Sequence, residues 1–168
     1  MRNYTYTAAD FDHDKDAIDH LKLMKENGLI SYLDAHELQQ SYDSSKPCSI
    51  KKSLKNRMDV SYKFVLIVGE HTNAVTKGGC QLCESYNSRT ESCARGYSVD
   101  YRSFVRFECE KAAEEGLQIV VLYKSTKIDR DLCPTPVRYT GVHQKMIYRG
   151  YDGHYYWDDD AIKQALRG

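Results

Sequence analysis

The chain has 168 residues, 41% of them apolar and 29% charged, with a mean hydropathy of −0.65. This fits one globular domain with its own core and excludes a disordered, fibrous or repeat protein. Lysine plus arginine is 24 and aspartate plus glutamate is 24, so the net charge is zero. Nothing global then draws the chain to nucleic acid or anionic lipid. The longest apolar run, Phe64 to Gly69, is far short of a membrane span. Arg2, Asn3, Tyr4 and Thr5 lack the apolar character of a secretory leader. The expected setting is the cytoplasm, with neither nucleic acid nor membrane as partner.

Asn3 to Ala9, rich in Tyr and Thr, reads as a first strand. Asp14 is placed to cap a helix to about Asn27, with Ala17, Ile18, Leu21 and Met24 on one face. Gly28 follows in the left-handed position that ends helices. Leu29 to Leu33 reads as a short second strand, and Asp34 to Pro47 as a polar connection. Ile50, Leu54 and Met58 mark the buried stripe of a second helix; Lys51, Lys52, Lys55 and Arg57 read as its solvated basic face. Tyr62 to Gly69 is nearly all apolar, the pattern of a central parallel strand buried on both faces.

A long polar stretch, Glu70 to Arg102, comes next. A structureless loop of that length is unusual in a compact domain, so it reads as an insertion with a staple of its own. Ser103 to Glu115 is a third helix closed by Gly116, and Leu117 to Tyr123 a fourth strand. Cys133 to Val142, with Pro134 and Pro136, reads as a loop. Lys145 to Trp157 reads as a last strand, or a hairpin turning at Asp152-Gly153. Asp158 to Asp160 cap a final helix through Leu166. The alternation predicts a single α/β domain over 1–168, interrupted at about 70–102, with a mainly parallel sheet of about five strands. Ligands of such sheets sit beyond the C-terminal strand ends. Here those are Ala9-Asp10-Phe11, Asp34-Ala35-His36 and Gly69-Glu70-His71-Thr72.

Glu108 is the anomaly of the third helix. At about 100° per residue it falls inside the apolar arc of Phe104, Val105, Cys109 and Ala112. A carboxylate there must be paired or open into a cleft. Tyr6 and Phe11 are placed to flank a flat ring near the nominated strand ends. His36 and His71 lie near those ends too. The acids of Asp10-Phe11-Asp12-His13-Asp14-Lys15-Asp16 imitate a calcium loop, but Lys15 and Leu21 stand where that loop needs Gly and Glu. No dinucleotide glycine fingerprint, phosphate-binding loop or serine elbow is present.

The six cysteines are Cys48, Cys80, Cys83, Cys93, Cys109 and Cys133. Without an export signal, reduced thiols are the default. Cys80 and Cys83 form a Cys-x-x-Cys pair, Gly78 and Gly79 permit a tight turn before it, and Cys93 follows. That pattern suits a structural zinc, free thiols in a polar loop, or a redox pair. For zinc the fourth ligand stays open between His71 and Cys109.

The run Phe64-Val65-Leu66-Ile67-Val68-Gly69-Glu70-His71-Thr72, with Phe104-Val105-Arg106-Phe107-Glu108 after the insertion, resembles the TIR-like family typified by the Thoeris anti-phage sensor proteins. Ala9-Asp10-Phe11-Asp12-His13-Asp14 is similar to that family's first strand end. The resemblance runs from about Asn3 to Tyr123. It implies a flavodoxin-like, three-layer TIR fold and an activity on NAD: cleavage of the nicotinamide N-glycosidic bond, with an ADP-ribose-derived, cyclic or transferred, signal as product. It gives Glu108 the catalytic role at the nicotinamide ribose. Tyr6, Asp10 and Phe11 shape the cleft, and Asp34, His36 and His71 stand around it. It also implies a homo-oligomer and a downstream effector reached through the nucleotide signal. Family members often carry Trp where this chain has Phe104.

Overall fold

A computed structural model of the chain describes residues 1–37 and 46–168. The middle of the polar connection after Asp34 therefore lies outside the described residues. The strongest apolar run forms β3 (Ser61–Val68) at the centre of a sheet. It pairs in parallel with β1 (Tyr4–Ala8) on one side and β6 (Gln118–Tyr123) on the other. Outside these lie β2 (Leu33–Asp34), parallel to β1, and β7 (Val142–Lys145), parallel to β6. Among the described residues the sheet thus has five strands in the order β2-β1-β3-β6-β7, all parallel. Numbered along the chain this is 2-1-3-4-5, the flavodoxin-like order, whose switch point lies between β1 and β3.

The side chains of β3 alternate between two cores. Phe64, Leu66 and Val68 meet Leu54 and Met58 of α2 (Pro47–Asp59) and Val105, Cys109 and Ala112 of α3 (Phe104–Glu114). Val65 and Ile67 meet Ala17, Ile18, Leu21 and Met24 of α1 (Lys15–Glu26) and Ile162 and Ala165 of α4 (Asp159–Arg167). Burial of both strand faces is why the run reads as continuously apolar. The result is the expected three-layer, flavodoxin-like α/β fold. Ser103 caps α3, its hydroxyl accepting from Arg106 N–H at 3.1 Å, and Asp158 caps α4 by accepting from Ala161 N–H at 3.1 Å. The insertion does precede the third helix. It holds a 3-10 turn at Cys80–Leu82 and a small antiparallel hairpin of β4 (Tyr86–Asn87) and β5 (Ser92–Cys93).

Three expectations need correction, and a fourth resolves between its two alternatives. Leu29 to Leu33 is not a strand: only Leu33 and Asp34 pair with β1, while Ile30 turns into the α1 core. Of the two alternatives for Lys145 to Trp157 the hairpin holds: β8 (Ile147–Arg149) and β9 (Tyr155–Trp157) pair around Asp152-Gly153, and the fifth sheet strand is the earlier Val142–Lys145. The basic face of α2 is not all solvated. Lys51 is buried and donates to the Arg102 carbonyl at 2.7 Å, and Arg57 is buried as well. Asp14 precedes α1 but its side chain caps nothing there.

Asp14 serves the strand ends instead. Its carboxylate is 2.8 Å from Lys124 Nζ, just past β6, and accepts from the Thr72 hydroxyl at 3.4 Å. Thr72 Oγ1 in turn accepts from Gly69 N–H at 2.8 Å. Burial lowers the affinity of Lys124 for its proton, and the bonds to Asp14 and Asp16 outweigh it and hold its pKa above the ordinary value. Gly69 has no room for a side chain, because a Cβ there would sit 2.2 Å from Asp14 Oδ1. Gly69→Ala is therefore expected to cost about 1–3 kcal/mol, as overpacking does. Urea unfolding should show a lower midpoint with an unchanged slope.

Candidate functional site

Two of the three strand ends that the switch-point rule nominates border a cleft of about 310 Å³, while Gly69-Glu70-His71-Thr72 does not line it. Ala9, Asp10 and Phe11 come from the end of β1, and His36 from the 3-10 turn Ala35–Glu37 after β2. Ile50 and Leu54 come from α2, Val75 and Lys77 from the insertion, and Phe104, Val105 and Glu108 from the start of α3. The walls are mostly apolar with a few polar groups, the usual make-up of a small-molecule site. A second concavity of about 290 Å³ lies at the opposite edge of the sheet, among residues such as Thr5, Tyr32, Lys63 and Lys163. Among the described residues that line it, none carries a carboxylate side chain.

Glu108 is the chemical centre of the first cleft. Only 4% of it is exposed, and its Oε1 accepts from the Tyr6 hydroxyl at 2.5 Å. Tyr6 is fully buried behind it. Its ring stacks on Phe64 at 5.8 Å between centroids and meets His36 at 4.7 Å. Burial pushes the Glu108 carboxyl up to about 8, outweighing the Tyr6 bond, which acts the other way. Burial, and then the neighbouring Glu108 charge, keeps the Tyr6 phenol well above its usual value. At neutral pH the pair is therefore a neutral acid bonded to a neutral phenol.

The surroundings are held by backbone. His36 Nε2 donates to the Thr7 carbonyl at 2.6 Å, so the neutral ring carries its proton there and Nδ1 is bare. Burial holds its pKa below the ordinary value. Asp34 accepts from His36 N–H at 2.9 Å and so positions His36 rather than lining the cleft. Asp10 accepts from Asp12 N–H at 3.2 Å and from His13 Nδ1 at 2.6 Å, which fixes the turn after β1. His71 does not line the cleft; it packs on His13 with ring centroids 4.1 Å apart. The structure thus joins Glu108, Asp10, Phe11 and His36 around one space, with Tyr6 behind Glu108.

Sequence reasoning missed Val75 and Lys77. Lys77 reaches Asp12 with Nζ at 3.0 Å, and its carbonyl accepts the Phe104 N–H at 2.9 Å. The one available signal was Gly78, whose φ is +101° and whose Cβ would stand 2.5 Å from the Phe104 ring. Cys80, Cys83 and Cys93 lie apart from this cleft, around a small cavity of the insertion. Among the described residues, no three His, Cys, Asp or Glu side chains stand in a metal-holding arrangement. Among the described residues, no helix is long and apolar enough to cross a membrane.

No family model matches the chain, and no curated protein matches it. Among solved structures it is similar to one described as the crystal structure of a prokaryotic SEFIR domain. The TM-score is 0.46 and the identity 13%, over 98% of this chain and 96% of that one. That likeness is too distant to carry an argument, and the architecture above rests on this chain's own strand order.

The raised carboxyl sets a pH dependence of stability. Between the ordinary value of 4.5 and about 8, the folded chain keeps a proton on Glu108 that the unfolded chain has lost. Stability from this residue therefore falls as pH rises through that window. Each pH unit within it is worth about 1.4 kcal/mol at most. Glu108→Gln keeps an acceptor for Tyr6 and does not titrate. Its stability relative to wild type should rise steadily from about pH 5 to about pH 8 in urea titrations.

Proposed function

We propose that this chain is a TIR-like enzyme that cleaves NAD between nicotinamide and ribose. In this reading it serves bacterial anti-phage signalling of the Thoeris type and assembles as a homo-oligomer. Its product is an ADP-ribose-derived signal, cyclic or linear, read by a downstream effector. The observation that carries the reading is Glu108: a nearly enclosed carboxyl at the wall of an apolar cleft, placed at the switch point of the sheet. The cleft volume of about 310 Å³ lies at the low end of small-molecule sites and suits the nicotinamide riboside half of the dinucleotide.

The chemistry needs a negative group there. As the C1′–N bond breaks, its electron pair leaves with the ring as neutral nicotinamide, and positive charge moves onto C1′ and the ring oxygen. A carboxylate in a cleft of low dielectric stabilises that charge more than water would. Water, or a nucleophilic group of the adenosine half, then bonds to C1′, and the proton it loses passes to solvent. Glu108 is protonated in the free protein, but the cationic nicotinamide ring favours its ionised form. Binding of oxidised NAD is thus coupled to release of one proton, while Tyr6 goes on donating to the carboxylate. Phe11 and Phe104 supply flat apolar surface beside the ring.

One observation favours a second reading. A carboxyl that is 4% exposed, neutral and bonded to Tyr6 is also a satisfied structural group. The chain would then be a non-catalytic TIR-like module that binds a partner or senses a nucleotide. Nicotinamide release from NAD, followed at low and high protein concentration, separates the two. Wild type should release it, faster per chain at high concentration, and Glu108→Gln and Glu108→Ala should both be slower by about 100-fold or more. Equal release by wild type and both variants removes Glu108 from the chemistry. No release at any concentration, with assembly intact, leaves the module.

A further inference from the structure

Four of the six cysteines converge on one place. Cys48, the second residue of α2, lines the same small cavity as Cys80, Cys83 and Cys93 of the insertion. None of these four is buried, whereas Cys109 and Cys133 are buried in the core and fill it as apolar residues do. The cavity volume is about 20 Å³, room for one body the size of a water molecule.

The backbone already treats two of the sulfurs as acceptors. Asp100 N–H donates to Cys80 Sγ at 3.2 Å. The N–H groups of Arg95, Tyr97 and Gly96 surround the Cys93 sulfur. Such bonds orient sulfur ligands. Cys48 sits in the first turn of α2, on the wall of this cavity. Two clamps hold α2 against the insertion on either side of Cys48. Lys46 pairs with Glu84, next to Cys83, and Lys51 reaches Asp100 at 3.3 Å and the Arg102 carbonyl at 2.7 Å.

We propose that Cys48, Cys80, Cys83 and Cys93 form a closed, tetrahedral structural zinc site that fastens the insertion to α2. Four soft sulfur donors with no oxygen donor among them suit zinc. The sulfurs border the cavity without yet closing on a common point. In the bound site each sulfur stands about 2.3 Å from the ion. The fourth ligand is thus Cys48, not Cys109, which belongs to the core, nor His71, which packs on His13. The site also bears on the cleft. Ile50 and Leu54 of α2 and Val75 and Lys77 of the insertion form facing parts of its wall, so the ion sets their spacing.

The test uses the full chain, kept reduced, stripped with chelator and titrated with Zn²⁺ alone. Alkylation of each cysteine is read by mass spectrometry with and without the ion. One zinc per chain is expected, with Cys48, Cys80, Cys83 and Cys93 protected by it and the melting temperature raised. Cys48→Ser should weaken zinc binding by at least about tenfold, while His71→Ala binds as wild type does. Absence of zinc binding overturns the proposal. So does a Cys48 alkylated equally fast with and without zinc, a reading on the wild-type chain that does not depend on how Cys48→Ser folds. Wild-type affinity in a folded Cys48→Ser overturns it as well.

Discussion

The bond from the Tyr6 hydroxyl to the Glu108 carboxyl ties the middle of the sheet to the helix beside it. A buried carboxyl without a partner costs several kcal/mol, even when it avoids charge by keeping its proton. Tyr6 is suited to meet it, because an apolar ring can cross the core and present one polar atom at its far end. The ring is itself held on two sides, by Phe64 of β3 and by His36 after β2. His36 is held by the Thr7 carbonyl, one residue beyond Tyr6. One hydrogen bond thus sets β1, β3, the turn after β2 and α3 relative to each other, and the cleft is the space left between them. Moving Glu108 outward would leave Tyr6 unpaired, and moving Tyr6 would unseat His36.

The fold was legible wherever burial imposes a period. β3 packs on two helical layers, so every residue from Lys63 to Val68 is buried and the run could hardly be read otherwise. The apolar stripes of α1 and α3 were legible for the same reason. The edges of the sheet were not. β2 has two residues and β7 four, and among the described residues each pairs on one side only. Such strands need little apolar surface, so Leu29 to Leu33 looked more strand-like than the residues that pair. Its best apolar residue, Ile30, answers to the α1 core rather than to a strand partner. The insertion has no periodic face, and its hairpin of two-residue strands falls below any pattern a sequence can show.

At the site the same division holds. Glu108 was legible because a charged residue within an apolar arc is a contradiction that the fold must resolve. Asp10, Phe11 and His36 were legible because a parallel sheet gathers its strand ends at one edge. The partner of Glu108 lies 102 residues away, and no local rule links the two. Lys51 was misread for a related reason. On its own helix it looks solvated, and only the return of the chain at Asp100 and Arg102 turns its ammonium group into a latch. His71 shows the limit of the strand-end rule, which places a residue at the right edge but leaves its direction to its neighbours. Here His13 holds it beside the cleft rather than in it.

What Glu108 does follows from comparing it with a glutamine in the same place. A glutamine would accept from Tyr6, stay neutral at every pH and carry none of the acid's loss of stability above the ordinary carboxyl range. As a partner for Tyr6 alone, an acid has no advantage over a glutamine at this point. Under the proposed enzyme reading its advantage is the negative charge that it can offer to something that enters the cleft. Among the described residues, the walls are mostly apolar and aromatic, and the one cationic side chain on them, Lys77, is turned to Asp12. Under the proposed reading, an entering flat cation finds rings to lie against, an acid whose proton it can displace and, among the described residues, no fixed positive charge turned to it. The insertion, which supplies Val75 and Lys77, is then among the parts that shape its entry.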